Sequence, residues 1–106
     1  MSFRFMRVFV FFDLPVISAS DRKEYRKFRK YLVKNGFIMM QESVYSKLTL
    51  NATAAKTVQA NVRKNAPPNG IVELLIVTEK QFATIEYITG EFNSEYITST
   101  DRLVVL

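Results

Sequence analysis

Residues 6–16 read MRVFVFFDLPV, and no other stretch limits the possible folds as much. From Val8 to Phe12 every side chain is apolar. Successive side chains of a strand point to opposite faces, so a run of this kind needs cover on both. Residues 6–13 are therefore read as a central strand. It stops on Asp13, and Pro15, which has no amide hydrogen to donate, ends any pairing. The acid has two readings. Asp closely followed by Pro is ordinary turn chemistry. A carboxylate at the C-terminal end of a central strand can also face a crevice where chemistry takes place.

The rest of the chain alternates in kind. Residues 20–35, SDRKEYRKFRKYLVKN, are read as a helix, with Ser20 as N-cap, Asp21 at the positive end of the dipole and Gly36 as the stop. Tyr25, Phe28, Tyr31 and Leu32 make its apolar stripe. Residues 37–50 are extended, with a bulge near Gln41 and Glu42. Beyond it Val44, Ser46, Leu48 and Leu50 share one face, and Tyr45, Lys47 and Thr49 the other. Residues 52–65 form a second helix, capped by Asn51 or Thr53, with Ala55, Val58 and Val62 inward. The run APPNG ends it. Residues 71–77 read as a strand, 81–89 as another, and the tail 101–106 as a short last one. The expected fold is α+β, a single domain over 1–106. It is a ferredoxin-like βαββαβ antiparallel sheet with both helices on one face and an extra C-terminal strand. That short apolar tail would pair with a sheet edge, on this or another subunit.

Composition then removes whole classes of chemistry. The chain of 106 residues has no cysteine and no histidine. Disulfides and thiolate zinc sites are excluded, and the commonest general base is missing. Nine Phe and five Tyr promise an aromatic core. The N-terminal MSFRFMRVFVFF lacks a small-residue cleavage site and reads as a strand. No run is long and apolar enough for a membrane helix, so the cytoplasm is expected, with no membrane partner. A net charge of +5 favours phosphate-bearing partners.

Much of that charge sits on the first helix. Lys23, Lys27, Lys30 and Lys34 follow the spacing i, i+4, i+7, i+11 and form one stripe away from the apolar side. The stripe runs about 16 Å at ~1.5 Å per residue. Duplex DNA carries one charge per ~1.7 Å of axis, so several phosphates fall within its reach. Arg22, Arg26 and Arg29 widen the patch. Like charges at i, i+4 repel, and a merely solvated face more often mixes signs. No base-reading signature accompanies the stripe, which points to backbone contact. The strand GIVELLIV lacks the aromatic signature of an RNA-recognition motif.

If Asp13 is catalytic, a chain without histidine needs a hard cation, Mg²⁺ or Mn²⁺, for phosphodiester hydrolysis. One Asp is a thin site, and a two-fold dimer would bring two copies together. Glu42 lies at the bulge and Glu73 within a strand. Glu79, Glu86, Glu91 and Glu95 have no site-like spacing. The glycines are isolated, so no phosphate-cradling loop exists.

The segments MRVFVFFDLP, RKEYRKFRKYLVKNGFIMMQESVYSKL and NGIVELLIVTEKQF resemble the CRISPR-associated protein two family, in the longer form found with single-effector systems. The resemblance covers nearly the whole chain. It implies a ferredoxin-like homodimer, clamped by the CRISPR integrase subunit in the assembly that inserts spacer DNA. It also implies a metal-dependent nuclease acting on RNA or duplex DNA. Asp13 would be the metal-binding catalytic residue, supplied once per subunit, with Ser43 of the SVY motif nearby. Residues 102–106 would cross to the partner. Many members carry Tyr before the acid, where this chain has Phe12 and no hydroxyl to offer a phosphate. Lys23, Arg26, Lys27, Lys30 and Lys34 remain the expected nucleic-acid contacts. The alternative reading is a small-ligand regulatory domain of the same topology.

Overall fold

A computed structural model describes residues 4–91. The elements are β1 (Met6–Asp13), α1 (Ala19–Lys34), β2 (Ile38–Gln41), β3 (Val44–Thr49), α2 (Ala52–Asn65), β4 (Ile71–Thr78) and a short α3 (Glu79–Phe82). The four strands make one sheet in the order β2-β3-β1-β4, every neighbour antiparallel. This is the ferredoxin-like βαββαβ arrangement, with β1 central as its apolar run requires. The tail strand expected at 102–106 lies outside the described residues.

Side-chain alternation along β1 sorts the sheet into two faces. Val8, Val10 and Phe12 point to the inner face and are buried with Phe28 and Leu32 of α1 and Ala55 and Val62 of α2. Both helices therefore pack on the same face. Phe12 is the hub of an aromatic cluster, with ring centroids 5.4 Å from Phe28, 5.7 Å from Tyr45 and 6.1 Å from Tyr25. Tyr45 and Thr49 of β3 are buried on this inner face as well.

The outer face carries Arg7, Phe9, Phe11 and Asp13. Their direct partners on β4 are Val77, Leu75, Glu73 and Ile71, and on β3 Phe11 meets Val44, Phe9 meets Ser46 and Arg7 meets Leu48. Leu48, Ile71 and Leu75 are each about half exposed or more. So one of the two covers that β1 asks for comes from the helices. The described residues do not supply the second, except at one end. There α3 folds over, Phe82 packs on Phe9, and Arg7 makes a paired ion bridge to Glu79 at 2.9 and 2.6 Å. The Arg7 guanidinium also lies 4.1 Å over the Phe82 ring.

Two sequence expectations need correction. Residues 81–89 are not a strand. Thr78 accepts from the Gln81 amide and Gln81 answers to the Thr78 amide, a capping box that starts α3. Turn hydrogen bonds from Thr84 and Ile85 back to Gln81 and Phe82 then consume the backbone groups a strand would need. The N-cap of α1 is Ser18 rather than Ser20. Ser18 Oγ accepts from the Asp21 amide at 3.0 Å, and Asp21 returns the bond to the Ser18 amide. At the other end Gly36 adopts φ +88°, and the Phe37 amide bonds to Leu32 O. In the β2–β3 hairpin the register shifts between Met39 and Gln41, just before the Gln41 and Glu42 expected from the sequence, and Glu42 and Ser43 form the turn itself.

Candidate nucleic-acid face and metal site

Asp13 ends β1 on the outer face and is exposed. The next two residues fix its backbone. Leu14 turns back into the core, and Pro15 closes the strand. The loop before β4 presses on the same point. Gly70 has φ +93°, and a Cβ there would stand 2.7 Å from Asp13 O, 2.9 Å from Leu14 Cδ2 and 3.0 Å from Pro15 Cδ. Only glycine fits that contact and that dihedral. On the other side the Phe12 amide donates to Ser43 O at 3.1 Å, so the β2–β3 turn lies against the end of β1. Ser43 approaches Asp13 through its backbone.

The register adds a carboxylate that spacing alone did not single out. Glu73 is paired with Phe11, which puts it on the outer face, exposed, one diagonal from Asp13. Diagonal neighbours in an antiparallel pair are within ~7–8 Å. Only the strand pairing reveals this, since nothing in the local sequence links residues 13 and 73. Phe12 moves the other way. Its ring is in the core beneath both helices, so an added hydroxyl at this position would enter the Tyr25–Phe28–Tyr45 cluster and not the site. The expected cost of Phe12 to catalysis therefore has no geometric basis.

The donor set suits a hard cation only in part. Among the described residues no three Asp, Glu, His or Cys side chains come together. One chain offers the Asp13 carboxylate, with Glu73 on the same face. Mg²⁺ takes one or two carboxylates and keeps several waters, so this set fits such an ion, and fits better when a second copy faces it.

The basic residues occupy the opposite layer. Lys23, Arg26, Lys27, Lys30 and Lys34 are all exposed on α1, which covers the inner face of the sheet. They are not brought to Asp13. The arginines differ in how they are held. Arg22 spends Nη1 on the loop, donating to Ile17 O at 2.7 Å and Val16 O at 3.2 Å. Arg29 donates from Nε to the Tyr45 hydroxyl at 2.8 Å, and that hydroxyl donates to Met39 Sδ at 3.5 Å. Burial pushes the Tyr45 phenol up, with the Arg29 hydrogen bond opposing it, and the same bond raises Arg29. Tyr45 thus stays a neutral hydroxyl, and Arg29 a cation.

Residues 6–85 match the family model described as CRISPR associated protein Cas2. The chain belongs to the Cas2 family. Among its relatives is a CRISPR-associated endoribonuclease Cas2 of Treponema denticola, 57% identical over 95% of this chain and 100% of the relative. Proteins of the same name from Streptococcus mutans and Ligilactobacillus salivarius are 50% and 41% identical, each over 95% of this chain and over 93% and 100% of their own length. The Cas2 match spans β1 through α3, so Asp13, the α1 basic face and Gly70 all lie within it. No helix among the described residues is long and apolar enough to cross a membrane.

Proposed function

We propose that this protein serves CRISPR adaptation as a homodimer with two separate working surfaces. The outward faces of α1 hold duplex DNA for the CRISPR integrase subunit. The paired Asp13 residues form a metal-dependent endonuclease site for RNA or duplex DNA. The observation that carries this reading is the position of Asp13. It is exposed at the rim of a sheet face that carries Phe9, Phe11, Leu48, Ile71 and Leu75, with Glu73 near Asp13 and Arg7 at the far end. A contiguous exposed apolar face of this kind marks an interaction surface. A two-fold contact between two such faces would cover them and draw the two Asp13 side chains toward one axis. The relatives named as endoribonucleases support the nuclease half.

In this arrangement Asp13, with Glu73 beside it, would hold Mg²⁺ or Mn²⁺. A bound ion of this type supplies charge neutralisation at phosphoryl oxygens and acidifies water. Leu14, Pro15 and Gly70 fix the strand end that carries the carboxylate. The α1 cations lie on the other layer of the sheet and make no ion pair with Asp13 among the described residues. That keeps the holding surface distinct from the site that cuts.

The test compares wild type with Asp13→Ala in Mg²⁺-dependent cleavage of single-stranded RNA and duplex DNA, and in spacer integration with the integrase subunit present. The expected result is cleavage lowered at least about 100-fold, the usual scale for removing an essential catalytic group, with integration intact. Cleavage that persists in Asp13→Ala, or that proceeds in EDTA, would remove the nuclease half. Integration that survives alanine at Lys23, Lys27, Lys30 and Lys34 together would remove the holding half.

A further inference from the structure

Tyr45 belongs to the SVY motif, yet its side chain points away from Asp13. The residue is fully buried on the inner sheet face, stacked on Phe12. Its hydroxyl takes the Nε hydrogen of Arg29 at 2.8 Å. Arg29 itself is exposed. A guanidinium has five N–H donors in a planar fork. With Nε fastened, the two terminal nitrogens make no hydrogen bond among the described residues. Arg29 lines one shallow groove with Arg26, Lys30, Val33 and Lys34. This is a row on the flank of α1, next to the lysine stripe and one step nearer the sheet edge at β2.

We propose that Tyr45 is a positioning residue for nucleic-acid binding, and that the Arg29 it anchors is the oriented phosphate contact of the α1 surface. The physical reason is entropy. A free Arg must give up its rotamers when it grips a phosphate, whereas Arg29 has already been fixed by a hydroxyl that cannot move. The planar fork then meets two phosphate oxygens at once, which the lysines, as point charges, cannot do. Lysines supply long-range attraction, and Arg29 supplies register. The hydroxyl keeps its proton throughout the neutral range, because burial holds the phenol above its usual value.

The inference rests on the reading of α1 as the nucleic-acid face, and its test separates the two. Full-length wild type, Tyr45→Phe, Arg29→Ala and the double variant would be titrated against a fluorescein-labelled duplex DNA of mixed sequence at several salt concentrations. Tyr45→Phe keeps the ring stack and every charge. It should bind about two- to tenfold more weakly, the factor for one newly mobile side chain, with an unchanged salt slope. Arg29→Ala should flatten the slope by about one, the loss of one phosphate contact. The double variant should bind like Arg29→Ala, because Tyr45 acts only through Arg29. Wild-type affinity in Tyr45→Phe would overturn the proposal, and so would a double variant weaker than Arg29→Ala by the full Tyr45 factor. If thermal melting shows Tyr45→Phe to be misfolded, Arg29→Lys takes its place. It keeps the charge but loses the tether and the fork, and equal binding would again overturn the proposal. Lys30→Ala and Lys34→Ala test the underlying reading: loss of binding there with Arg29→Ala silent would retain the helix face and discard the Tyr45 anchor.

Discussion

Gly70 sets the strictest local condition on Asp13. A Cβ at residue 70 would meet Leu14 Cδ2, a backbone oxygen and a proline ring carbon, and the last two cannot swing aside. Gly36 has a similar dihedral, φ +88°, but its nearest neighbour is the end of the flexible Lys47 side chain, whose ammonium donates to Asn35 O. The two glycines therefore make a matched pair. Gly70→Ala should cost about 1–3 kcal/mol and lower Asp13-dependent cleavage as the strand end shifts. Gly36→Ala should lose stability too, while cleavage at saturating metal stays at the wild-type rate. Equal cleavage by the two variants would show that the contact does not position Asp13. At this scale the sequence was partly legible. Asp13 stood out because a carboxylate ends an apolar run. Glu73 did not, because its proximity exists only through the β1–β4 register. The environment of Phe12 was misjudged for a related reason: adjacent residues on a strand face opposite sides, so the neighbour of a site residue belongs to the core.

Among the elements, α1 shows how caps decide boundaries. Two serines stand at its start, Ser18 at the cap and Ser20 in the first turn, and only Ser18 lies three residues before an acid that can return its bond. Ser18→Ala should lower stability by about 1 kcal/mol, whereas Ser20→Ala, inside the helix, should change it by a few tenths at most. Urea denaturation of the two variants decides this, and an equal loss would contradict the cap assignment. The same residue logic explains where element reading succeeded and failed. The strands at 6–13 and 71–77 and both long helices were legible from apolar periodicity. Residues 81–89 were not, because Phe82, Ile85 and Tyr87 scatter in a way that mimics a strand. The decisive signal there was the Thr78–Gln81 cap, four residues long and easily overlooked beside a strand.

For the molecule as a whole, the governing fact is a sheet with one face buried under two helices and the other, among the described residues, covered only at the α3 end. The run from Val8 to Phe12 announces a strand covered on both sides, and the described residues complete one of those covers. Leu75 lies at the middle of the open face and is 51% exposed. Leu75→Glu should leave the single-chain fold intact and prevent the proposed self-association, with sedimentation expected to report a dimer for wild type and a monomer for the variant. A dimeric Leu75→Glu would place the contact between copies elsewhere. Because paired Asp13 residues need that contact, the monomer should also lose metal-dependent cleavage while keeping part of its DNA affinity, since α1 is on the other layer.

The Asp13 side chain is exposed and makes no hydrogen bond or ion pair among the described residues. Nothing in the packing depends on its charge. Exposed positions of this sort change at little cost to stability, so a lineage could lose the acid and keep both the fold and the basic face of α1 proposed to hold DNA. Selection on the scaffold does not protect the nuclease. Among descendants of this architecture, the presence of an acid at this strand end would therefore record whether cutting is still under selection, independently of how well the assembly is preserved.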